Sequence, residues 1–265
     1  MDDQQFHQLL DYLGLSWKGY RKVRKGVIKR IHRHMHQLGC QNIERYLHAL
    51  GKNRLLRDEC ERLMTVSISR FFRDQKLWNV LQKEILPSLI EKHRQKICVW
   101  SAGCASGEEV YSLKILWNDI ESSVPHLPGL EITATDLNPV YLARAKIGVY
   151  ASSSLKNVPE QFRSAYFRKK KSRGRYEIEP SLRKGIIWQR HHFFSNPPGT
   201  QFHIIFLRNN LLTYYQDRFK KPAFNTVINQ LFPDGFLIVG SHERLPSKTS
   251  GLIPYGSLSY VFKKR

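Results

Sequence analysis

Apolar residues recur at helical spacing along the first 95 residues of the chain. Phe6, Leu9, Leu10 and Leu13 form the first such series, and further series follow as far as Leu63. A repeat of three to four residues places apolar side chains on one face of a helix. This part of the chain is therefore predicted to be helical.

From Ile97 onward, short apolar runs alternate with segments of helical pattern. The runs ICVW, LEITATD, FHIIFL and FLIVGS have the length of strands, and helices are predicted from about Glu108 and from Leu142 to Ala145. Such alternation is typical of an α/β fold with a parallel sheet and helices on both faces. We predict a basic helical domain over residues 1–95 and an α/β domain over residues 96–265, joined by the polar segment 92–96.

Residues 150–190 interrupt the alternating pattern of the second domain. Their central part, YFRKKKSRGRYEIEP, predicts an inserted β-hairpin subdomain whose tip runs from Lys169 to Arg175, with Gly174 as a turn residue. The tip is dense in cations, and the sequence leaves two interpretations open. It is either a solvated loop or a docking point for an acidic group.

The segment CVWSAGCASGEEVYSLKILW, residues 98–117, contains a strand, a turn of small residues and the start of a helix. Gly103 and Gly107 let the backbone approach a ligand closely. Their spacing differs from the GxGxxG of dinucleotide-binding enzymes, which disfavours an NAD-dependent oxidoreductase. Glu108 and Glu109 place negative charge where a pyrophosphate would be repelled and a cationic group attracted.

Asp136 ends the next predicted strand, LEITATD, and an acid at this place commonly binds the two hydroxyls of a ribose. A ligand with a ribose, a positive charge and no phosphate fits S-adenosylmethionine. The alternative interpretation is that Glu108 and Glu109 only stabilise the start of a helix, by about 0.3–1 kcal/mol each.

Charge composition indicates an acidic partner. The chain has 43 Lys and Arg against 22 Asp and Glu, a formal net charge of +21. Residues 17–36, WKGYRKVRKGVIKRIHRHMH, are predicted to form one helix with a cationic face. The cations of this segment, which contains no acid, are Lys18, Arg21, Lys22, Arg24, Lys25, Lys29, Arg30 and Arg33.

The sequence also bears on location and metal binding. No apolar run reaches the length of a membrane span, and the acidic start MDDQQFHQLL differs from the basic start of a signal peptide, so we expect a cytoplasmic protein without membrane insertion. The four cysteines form no CxxC pair and have no histidine cluster near them, which indicates neither zinc nor a disulfide framework. The oligomeric state leaves no signal in the sequence.

Five ordered motifs resemble those of the CheR-type chemotaxis receptor methyltransferases, which are protein-glutamate O-methyltransferases. The motifs are SISRFFRD (67–74), WSAGCASGEEVYSL (100–113), ATDLNPVYLARAKIGVY (134–150), FHIIFLRNNLLTYY (202–215) and LFPDGFLIVGSHERLP (231–246). The resemblance covers nearly the whole chain. It implies a Rossmann-like domain that binds S-adenosylmethionine and methylates glutamate carboxylates of an acidic protein such as a chemoreceptor.

The resemblance also implies which residues contact the cofactor. Together with Gly103 of the glycine turn, they are Ser67, Ser69, Arg73, Glu109, Asp136, His192, Phe193, Asn209 and Asn210. Ser67 and Ser69 stand where the family has Asn and Thr, and His192 stands where it has Asn or Asp.

Arg73 and Tyr214 are the expected catalytic residues. A glutamate side chain with a pKa near 4.3 is ionised at neutral pH and needs no general base, so placement and exclusion of water are the enzyme's tasks. Arg73 offers a fork that orients a carboxylate, and Tyr214 offers a hydroxyl. A one-residue shift in RNNLLTYY leaves Tyr215 as the alternative to Tyr214. Arg30 and Arg33 match basic positions with which the family holds its receptor substrates.

Two other functions stay compatible with the sequence. High positive charge suits phosphate binding, so the first is a methyltransferase that acts on nucleic acid. NPPG (196–199) resembles the Asn-Pro-Pro-aromatic motif of base methyltransferases, but it precedes the strand FHIIFL and has Gly199 in place of the aromatic residue, so we interpret it as a loop. The second is a regulatory module that binds the cofactor without catalysis, against which the presence of Arg73 argues.

Overall fold

The computed structural model describes residues 1–122, 124, 126–199, 201–246 and 251–265. The helices are α1 Asp3–Leu13, α2 Trp17–Tyr20, α3 Arg24–Gln37, α4 Ile43–Lys52, α5 Arg54–Met64, α6 Gln75–Val80, α7 Leu86–Lys92, α8 Glu108–Glu121, α9 Pro139–Ile147, α10 Glu160–Tyr166, α11 Leu211–Tyr214 and α12 Asp217–Asn229. A π-helical turn over Leu81–Ile85 joins α6 to α7. None of the described helices combines the length and the apolar character that crossing a bilayer demands.

The strands are β1 Lys96–Ala102, β2 Gly129–Asp136, β3 Val149–Ala151, β4 Phe167–Lys169, β5 Arg175–Ile178, β6 Ile186–Arg190, β7 Phe202–Leu207, β8 Leu231–Val239, β9 Leu252–Pro254 and β10 Val261–Lys264. The chain forms two compact units, which are described separately. The smaller unit comprises Met1–Ser67 and Asn209–Phe224, and the larger comprises Ile68–Arg208 and Asn225–Arg265. The predicted domain division at residue 95 stays a prediction, and the compact units divide the chain differently, first at residue 67.

The smaller unit is built from amphipathic helices. In α1 the predicted series Phe6, Leu9, Leu10 and Leu13 is buried, as its spacing requires. The helix begins with a capping box, in which the Asp2 carboxylate accepts a hydrogen bond from the Gln5 amide at 2.8 Å and the Gln5 side chain accepts one from the Asp2 amide. The helical prediction is confirmed here.

The prediction of one continuous helix over residues 17–36 is wrong. The structure has two helices, α2 and α3, separated at residues 21–23. In a continuous helix the Arg21 carbonyl would accept from the amide four residues later. It accepts instead from the Arg24 guanidinium, at 2.7 Å, and Arg24 also pairs with Asp3 at 2.9 Å. The turn thus has its own hydrogen bonds, and α3 carries the rest of the basic segment.

The larger unit contains a seven-stranded sheet in the order β6-β2-β1-β7-β8-β10-β9. The strands β6, β2, β1, β7 and β8 are parallel, whereas β10 is antiparallel to β8 and to β9. Helices lie on both sides of the sheet, and the fold is the Rossmann-like α/β fold that the sequence predicted. Every residue of β7 is buried, which explains why five of the six residues in FHIIFL are apolar. The sixth, His203, accepts a hydrogen bond from the Cys98 amide at 3.0 Å.

The predicted inserted hairpin is present, whereas β6, at the end of the predicted segment 150–190, belongs to the seven-stranded sheet. β4 and β5 pair antiparallel, β3 joins them in the order β3-β5-β4, and residues 170–174 connect β4 to β5. The Lys170 amide donates to the Arg175 carbonyl at 2.9 Å and closes the loop. Glu177 forms ion pairs with Lys170 at 2.7 Å and with Arg183 at 2.8 Å. Two other cations of the predicted tip, Lys169 and Lys171, are exposed.

Candidate active site

The carboxyl ends of β2, β1 and β7 lie side by side at one edge of the sheet. Ala102 is paired in register with Thr135, and Ser101 with Phe206. The next residues along these strands therefore leave the sheet at the same edge, where open α/β sheets bind their ligands. The residues at this edge are the glycine turn that follows β1, the acid Asp136 that ends β2, and Arg208, which follows β7.

The glycine turn is held by the neighbouring strand. The amides of Gly103 and Cys104 both donate to the Thr135 carbonyl at 2.8 Å. Gly103 has φ +84° and Gly107 has φ +86°, a backbone region that glycine adopts without strain. A Cβ on Gly107 would lie 2.9 Å from the Trp188 ring. The turn thus needs glycine at residue 107 for both conformation and space, and α8 begins directly after it.

Asp136 is fixed by two backbone amides. Its Oδ2 accepts from the Ala105 amide at 2.9 Å, and its Oδ1 accepts from the Asn138 amide at 2.8 Å. Burial raises the pKa of Asp136 to about 6, although both amide bonds favour the charged form. The carboxylate is therefore ionised at neutral pH, and each oxygen keeps a lone pair for one further donor. Two vicinal hydroxyls of a ribose match these two acceptors.

The two glutamates that begin α8 occupy different environments. Glu109 accepts from the Ser101 hydroxyl at 2.8 Å and from Nη1 of Arg208 at 3.0 Å. Glu108 is only 5% exposed, and burial raises its pKa while a hydrogen bond from Ser69 opposes the shift. Among the described residues, Oε2 of Glu108 has no hydrogen-bond partner. The sequence suggested one acidic pair, and the structure gives each carboxyl its own contacts.

The FFRD segment has an unusual backbone. Phe72 has φ +50° and Asp74 has φ +63°, a region in which residues other than glycine are strained. The Phe72 amide donates to the Ser112 hydroxyl at 2.9 Å. Between the two strained residues, the Arg73 carbonyl accepts from the Trp78 indole at 2.8 Å, and Nη1 of Arg73 donates to the Ile68 carbonyl at 2.8 Å.

Both phenylalanines of this segment are buried, Phe71 completely, and belong to the core of the larger unit. Their rings therefore pack within this core.

Arg208 is a residue of this edge that the sequence interpretation did not single out. Its side chain is 5% exposed, and its two terminal nitrogens pair with Glu109 and with Asp74. It therefore joins the glycine and Glu-Glu motif to the FFRD motif. The signal was present in the quoted run FHIIFLRNN, where a cation directly follows a strand in which five of six residues are apolar. A charge at that place is costly unless it is paired, and so it indicates a partner.

His192 and Phe193 follow the edge strand β6, which is paired with β2 so that Arg190 lies opposite Asp136. The His191 amide donates to the Asp136 carbonyl at 3.2 Å, which ties this loop to the edge that carries Asp136. The His192 ring accepts from the Phe194 amide at 3.3 Å. Its side chain thus has a local role in the loop.

The smaller unit holds the predicted site residues Ser67, Asn209, Asn210 and Tyr214. Asn209 has φ +54°, and the Asn210 side chain accepts from the Leu211 amide at 2.6 Å at the start of α11. The Tyr214 ring lies 5.0 Å from the Tyr20 ring. The backbones of Leu15 and Tyr215 form an isolated β-bridge.

Arg30 and Arg33, the predicted substrate contacts, differ in placement. Arg33 is exposed on α3. The Arg30 guanidinium donates to the Leu63 carbonyl at 2.8 Å and to the Thr65 carbonyl at 2.9 Å, where α5 ends. Tyr20 donates to the intervening Met64 carbonyl at 3.1 Å. Arg30 therefore caps a helix inside the smaller unit, which positive charge at a helix carboxyl end favours.

Residues 67–260 match the family described as "CheR methyltransferase, SAM binding domain". The chain belongs to this family. A chemotaxis protein methyltransferase of Listeria innocua is 37% identical over 80% of this chain and 79% of its own length. The chemotaxis protein methyltransferase Cher2 of Pseudomonas putida is 30% identical over 72% of this chain and 70% of its own. This CheR protein is thus an S-adenosylmethionine-dependent methyltransferase of the chemotaxis type.

A solved N-methyltransferase, NodS from Bradyrhizobium japonicum in complex with S-adenosyl-L-homocysteine, aligns with 73% of this chain and 90% of its own, at 14% identity and a TM-score of 0.38.

The described residues of this CheR protein fit its cofactor, S-adenosylmethionine. Each carboxylate oxygen of Asp136 keeps one lone pair for a ribose hydroxyl. The glycines of the turn carry no Cβ, so a ligand can approach the backbone. Asp74 and Glu109 share one cation, Arg208, while Asp136 accepts from two uncharged backbone amides. This excess of negative charge suits a sulfonium and an ammonium group, as a pyrophosphate site would not.

Proposed function

We propose that this CheR protein transfers a methyl group to the side-chain carboxylate of a glutamate in an acidic protein of the chemoreceptor class. The carrying observation is the cationic surface of α3 in a chain of the chemotaxis methyltransferase family. Lys25, Lys29 and Arg33 lie on α3 three to four residues apart, and all are exposed. Such residues share one helix face, and a face of one sign attracts a partner of the opposite sign.

We assign substrate binding to this exposed surface, defined by Lys25, Lys29 and Arg33. Arg33 keeps the role that the resemblance implied. Arg30 does not belong to the surface, because its guanidinium is engaged by the carbonyls that end α5. The exposed lysines take its place in the proposal.

We assign cofactor binding to the residues that the motifs imply. They are Ser67, Ser69, Arg73, Gly103, Glu109, Asp136, His192, Phe193, Asn209 and Asn210. Asp136 accepts hydrogen bonds from the ribose hydroxyls, and Glu109 provides negative charge close to the glycine turn. Gly103 lets the ligand approach the backbone.

S-adenosylmethionine supplies an electrophilic methyl group on a positively charged sulfur. The glutamate nucleophile is ionised at neutral pH, so no residue of the enzyme has to remove a proton. Arg73 has five N–H groups, of which Nη1 donates to the Ile68 carbonyl, and it offers others to the attacking carboxylate. The buried rings of Phe71 and Phe72 keep water from the adjoining backbone, which favours a reaction that consumes opposite charges.

Tyr214 is proposed to hydrogen-bond the substrate carboxylate through its hydroxyl. The assignment rests on the family motif, in which Tyr215 is the alternative. Tyr214→Phe should lower kcat by about tenfold, the size expected for one lost hydrogen bond of 1–1.5 kcal/mol. Tyr215→Phe should leave kcat unchanged. The opposite result would transfer the role to Tyr215.

The proposed chemistry is tested by the stability of the product. The enzyme is incubated with methyl-labelled S-adenosylmethionine and an acidic helical protein, and the labelled product is treated with mild base. A glutamate methyl ester releases the label as methanol. Base-stable label on protein or on added nucleic acid would contradict glutamate methylation, and cofactor binding without any transfer would indicate a regulatory module.

We also propose a cytoplasmic location. Cys40, Cys60, Cys98 and Cys104 are free thiols, a state typical of a reducing compartment. Fractionation of cells that express the tagged full chain tests this location, and recovery in the periplasm would contradict it.

A further inference from the structure

Arg208 lies where three sequence motifs meet. It lies directly after β7 in FHIIFLRNNLLTYY, and it pairs through Nη1 with Glu109 of WSAGCASGEEVYSL and through Nη2 with Asp74 of SISRFFRD. The three residues are far apart in sequence, since Arg208 is separated from Glu109 by 99 positions and from Asp74 by 134. One planar guanidinium therefore sets the distance between two segments that the proposed function places around the reaction.

The pairing of Asp74 replaces an ordinary helix cap. Asp74 stands at the start of α6, where an aspartate usually accepts from the first free amides of the helix. Here its side chain makes no capping hydrogen bond. The carboxylate instead contacts Arg208, and the Asp74 backbone takes φ +63°. A helix start without its cap and with a strained backbone indicates that the contact with Arg208 serves another purpose.

Arg73 lies between the two strained residues, Phe72 and Asp74. Phe72 is held by its amide bond to Ser112, and Asp74 is held by Arg208. The direction of the Arg73 side chain is therefore set from both sides. Loss of Arg208 would release one side and would also leave Asp74 and Glu109, which are 27% and 17% exposed, without their shared cation.

We propose that Arg208 is a positioning residue of the methyl transfer: it holds Asp74, and through Asp74 the adjoining Arg73, at a fixed distance from Glu109. Arg208 acts through these neighbours and need not touch either substrate. The inference rests on the proposed function for the roles of Arg73 and Glu109. It gives a role to a residue that the sequence interpretation did not single out.

The first variant for the test is Arg208→Lys, which keeps the charge but loses the planar fork. A lysine can pair with one of the two carboxylates at a time. We expect the Kd for S-adenosylmethionine to rise about tenfold and kcat to fall about 100-fold, because small displacements of positioned groups have effects of this size. The protein should remain folded, with cofactor-saturated kcat reduced.

Asp74→Asn tests the same link from the other side and keeps the shape of the side chain. It should lower kcat in the same direction, and Arg208→Lys combined with Asp74→Asn should be no worse than the more severe single variant, because the two residues act as one unit. The matched control is Arg183→Lys, since Arg183 also bridges an acid, Glu177, and a carbonyl, that of Ile178, in the inserted hairpin. The control should lower the melting temperature without changing kcat.

Two results would overturn the inference. The first is a wild-type kcat and Kd in Arg208→Lys or in Asp74→Asn. The second is multiplicative effects in the double variant, which would show independent roles. The Kd is measured by calorimetry without any methyl acceptor. It therefore tests the role of Arg208 even if the enzyme proves not to methylate glutamate.

Discussion

The amide of Ala105 donates to Oδ2 of Asp136 at 2.9 Å, which joins the turn after β1 to the acid that ends β2. Ala105 has φ +50°, so the turn holds a strained residue in order to point this amide at the carboxylate. The Asn138 amide completes the arrangement on Oδ1 at 2.8 Å. The site is thus preorganised by backbone donors, whose positions depend little on side-chain rotamers.

Gly107→Ala should strongly destabilise the larger unit. The new Cβ would lie 2.9 Å from the Trp188 ring and 3.0 Å from the Ala145 Cβ, and Ala would have to adopt φ +86°. We expect a loss of about 2–4 kcal/mol, from about 1–2 for the backbone and about 1–2 for overpacking. Urea denaturation followed by fluorescence measures the loss.

The matched control for Gly107 is Gly174→Ala, at the hairpin tip of the same unit. Gly174 has φ +71°, but the nearest atom to its Cβ would be the Ser152 hydroxyl at 3.9 Å. Only the backbone part of the loss, about 1–2 kcal/mol, should remain. Equal losses in the two variants would contradict the steric part of the argument.

Much of this edge could be predicted because its signals are local. An apolar run followed by small residues predicts a strand and a turn, and Gly103 and Gly107 are where that pattern places them. Asp136 was identifiable because it is the acid that ends the predicted strand LEITATD. Sequence pattern and structure agree at these positions because the strands are mostly buried and the functional residues follow directly at their ends.

Pairings between distant segments could not be predicted in the same way. Arg208 bonds Glu109 across 99 positions, and no local pattern states which acid an isolated cation will meet. Arg30 was grouped with exposed cations because charge density does not distinguish faces of a helix. Its place three residues after the buried Val27 and next to the buried Ile31 turns it partly toward the core, where it caps α5.

Glu108→Gln should stabilise the protein at high pH. Because burial raises the pKa of Glu108, the folded wild type holds this proton to higher pH than the unfolded chain. Wild-type stability is therefore lost as pH rises through the folded pKa, whereas a neutral glutamine has no such loss. The difference in unfolding free energy between variant and wild type should grow in favour of the variant as pH rises from about 4, near the pKa of a glutamate in the unfolded chain, toward neutral pH.

The glutamine at residue 108 can keep the bond from Ser69, and its amide nitrogen replaces Oε2, for which the described residues offer no partner. Glu121→Gln, at the exposed far end of α8, is the control and should show no such trend. A stability difference for Glu108→Gln that is flat from about pH 4 to neutral pH would contradict the assignment.

Charge reversal on α3 should weaken substrate binding. Lys29→Glu combined with Arg33→Glu is expected to raise KM for an acidic helical protein about tenfold at 0.1 M salt, which corresponds to about 1.4 kcal/mol. The effect should shrink at 1 M salt, where the Debye length falls from about 10 Å to about 3 Å. Steady-state kinetics at both salt concentrations measure it, with the Kd for S-adenosylmethionine as an internal reference.

Arg30→Gln is the contrasting variant on α3. It removes two hydrogen bonds to the carbonyls of Leu63 and Thr65, which should lower stability by about 1–3 kcal/mol. The salt dependence of KM should stay that of the wild type. A normal KM in the double charge reversal at low salt, or a larger KM effect in Arg30→Gln, would contradict the proposed substrate surface.

The most direct test of the site is the pH dependence of S-adenosylmethionine affinity, measured by calorimetry from pH 5 to pH 7. The free enzyme holds Asp136 with a pKa of about 6. The ionised carboxylate is the form with acceptors for both ribose hydroxyls, so below pH 6 the Kd should rise about tenfold per pH unit. Asp136→Asn should bind weakly at every pH and lose the slope, since an amide cannot accept from both backbone donors.

Asp234→Asn, a change at an exposed acid paired with Lys263, serves as the control and should reproduce the wild-type curve. The account predicts a wild-type affinity that climbs to a plateau above pH 6 and a flat, weak response in Asp136→Asn. Wild-type binding that is independent of pH from 5 to 7, or tight binding by Asp136→Asn, would contradict it.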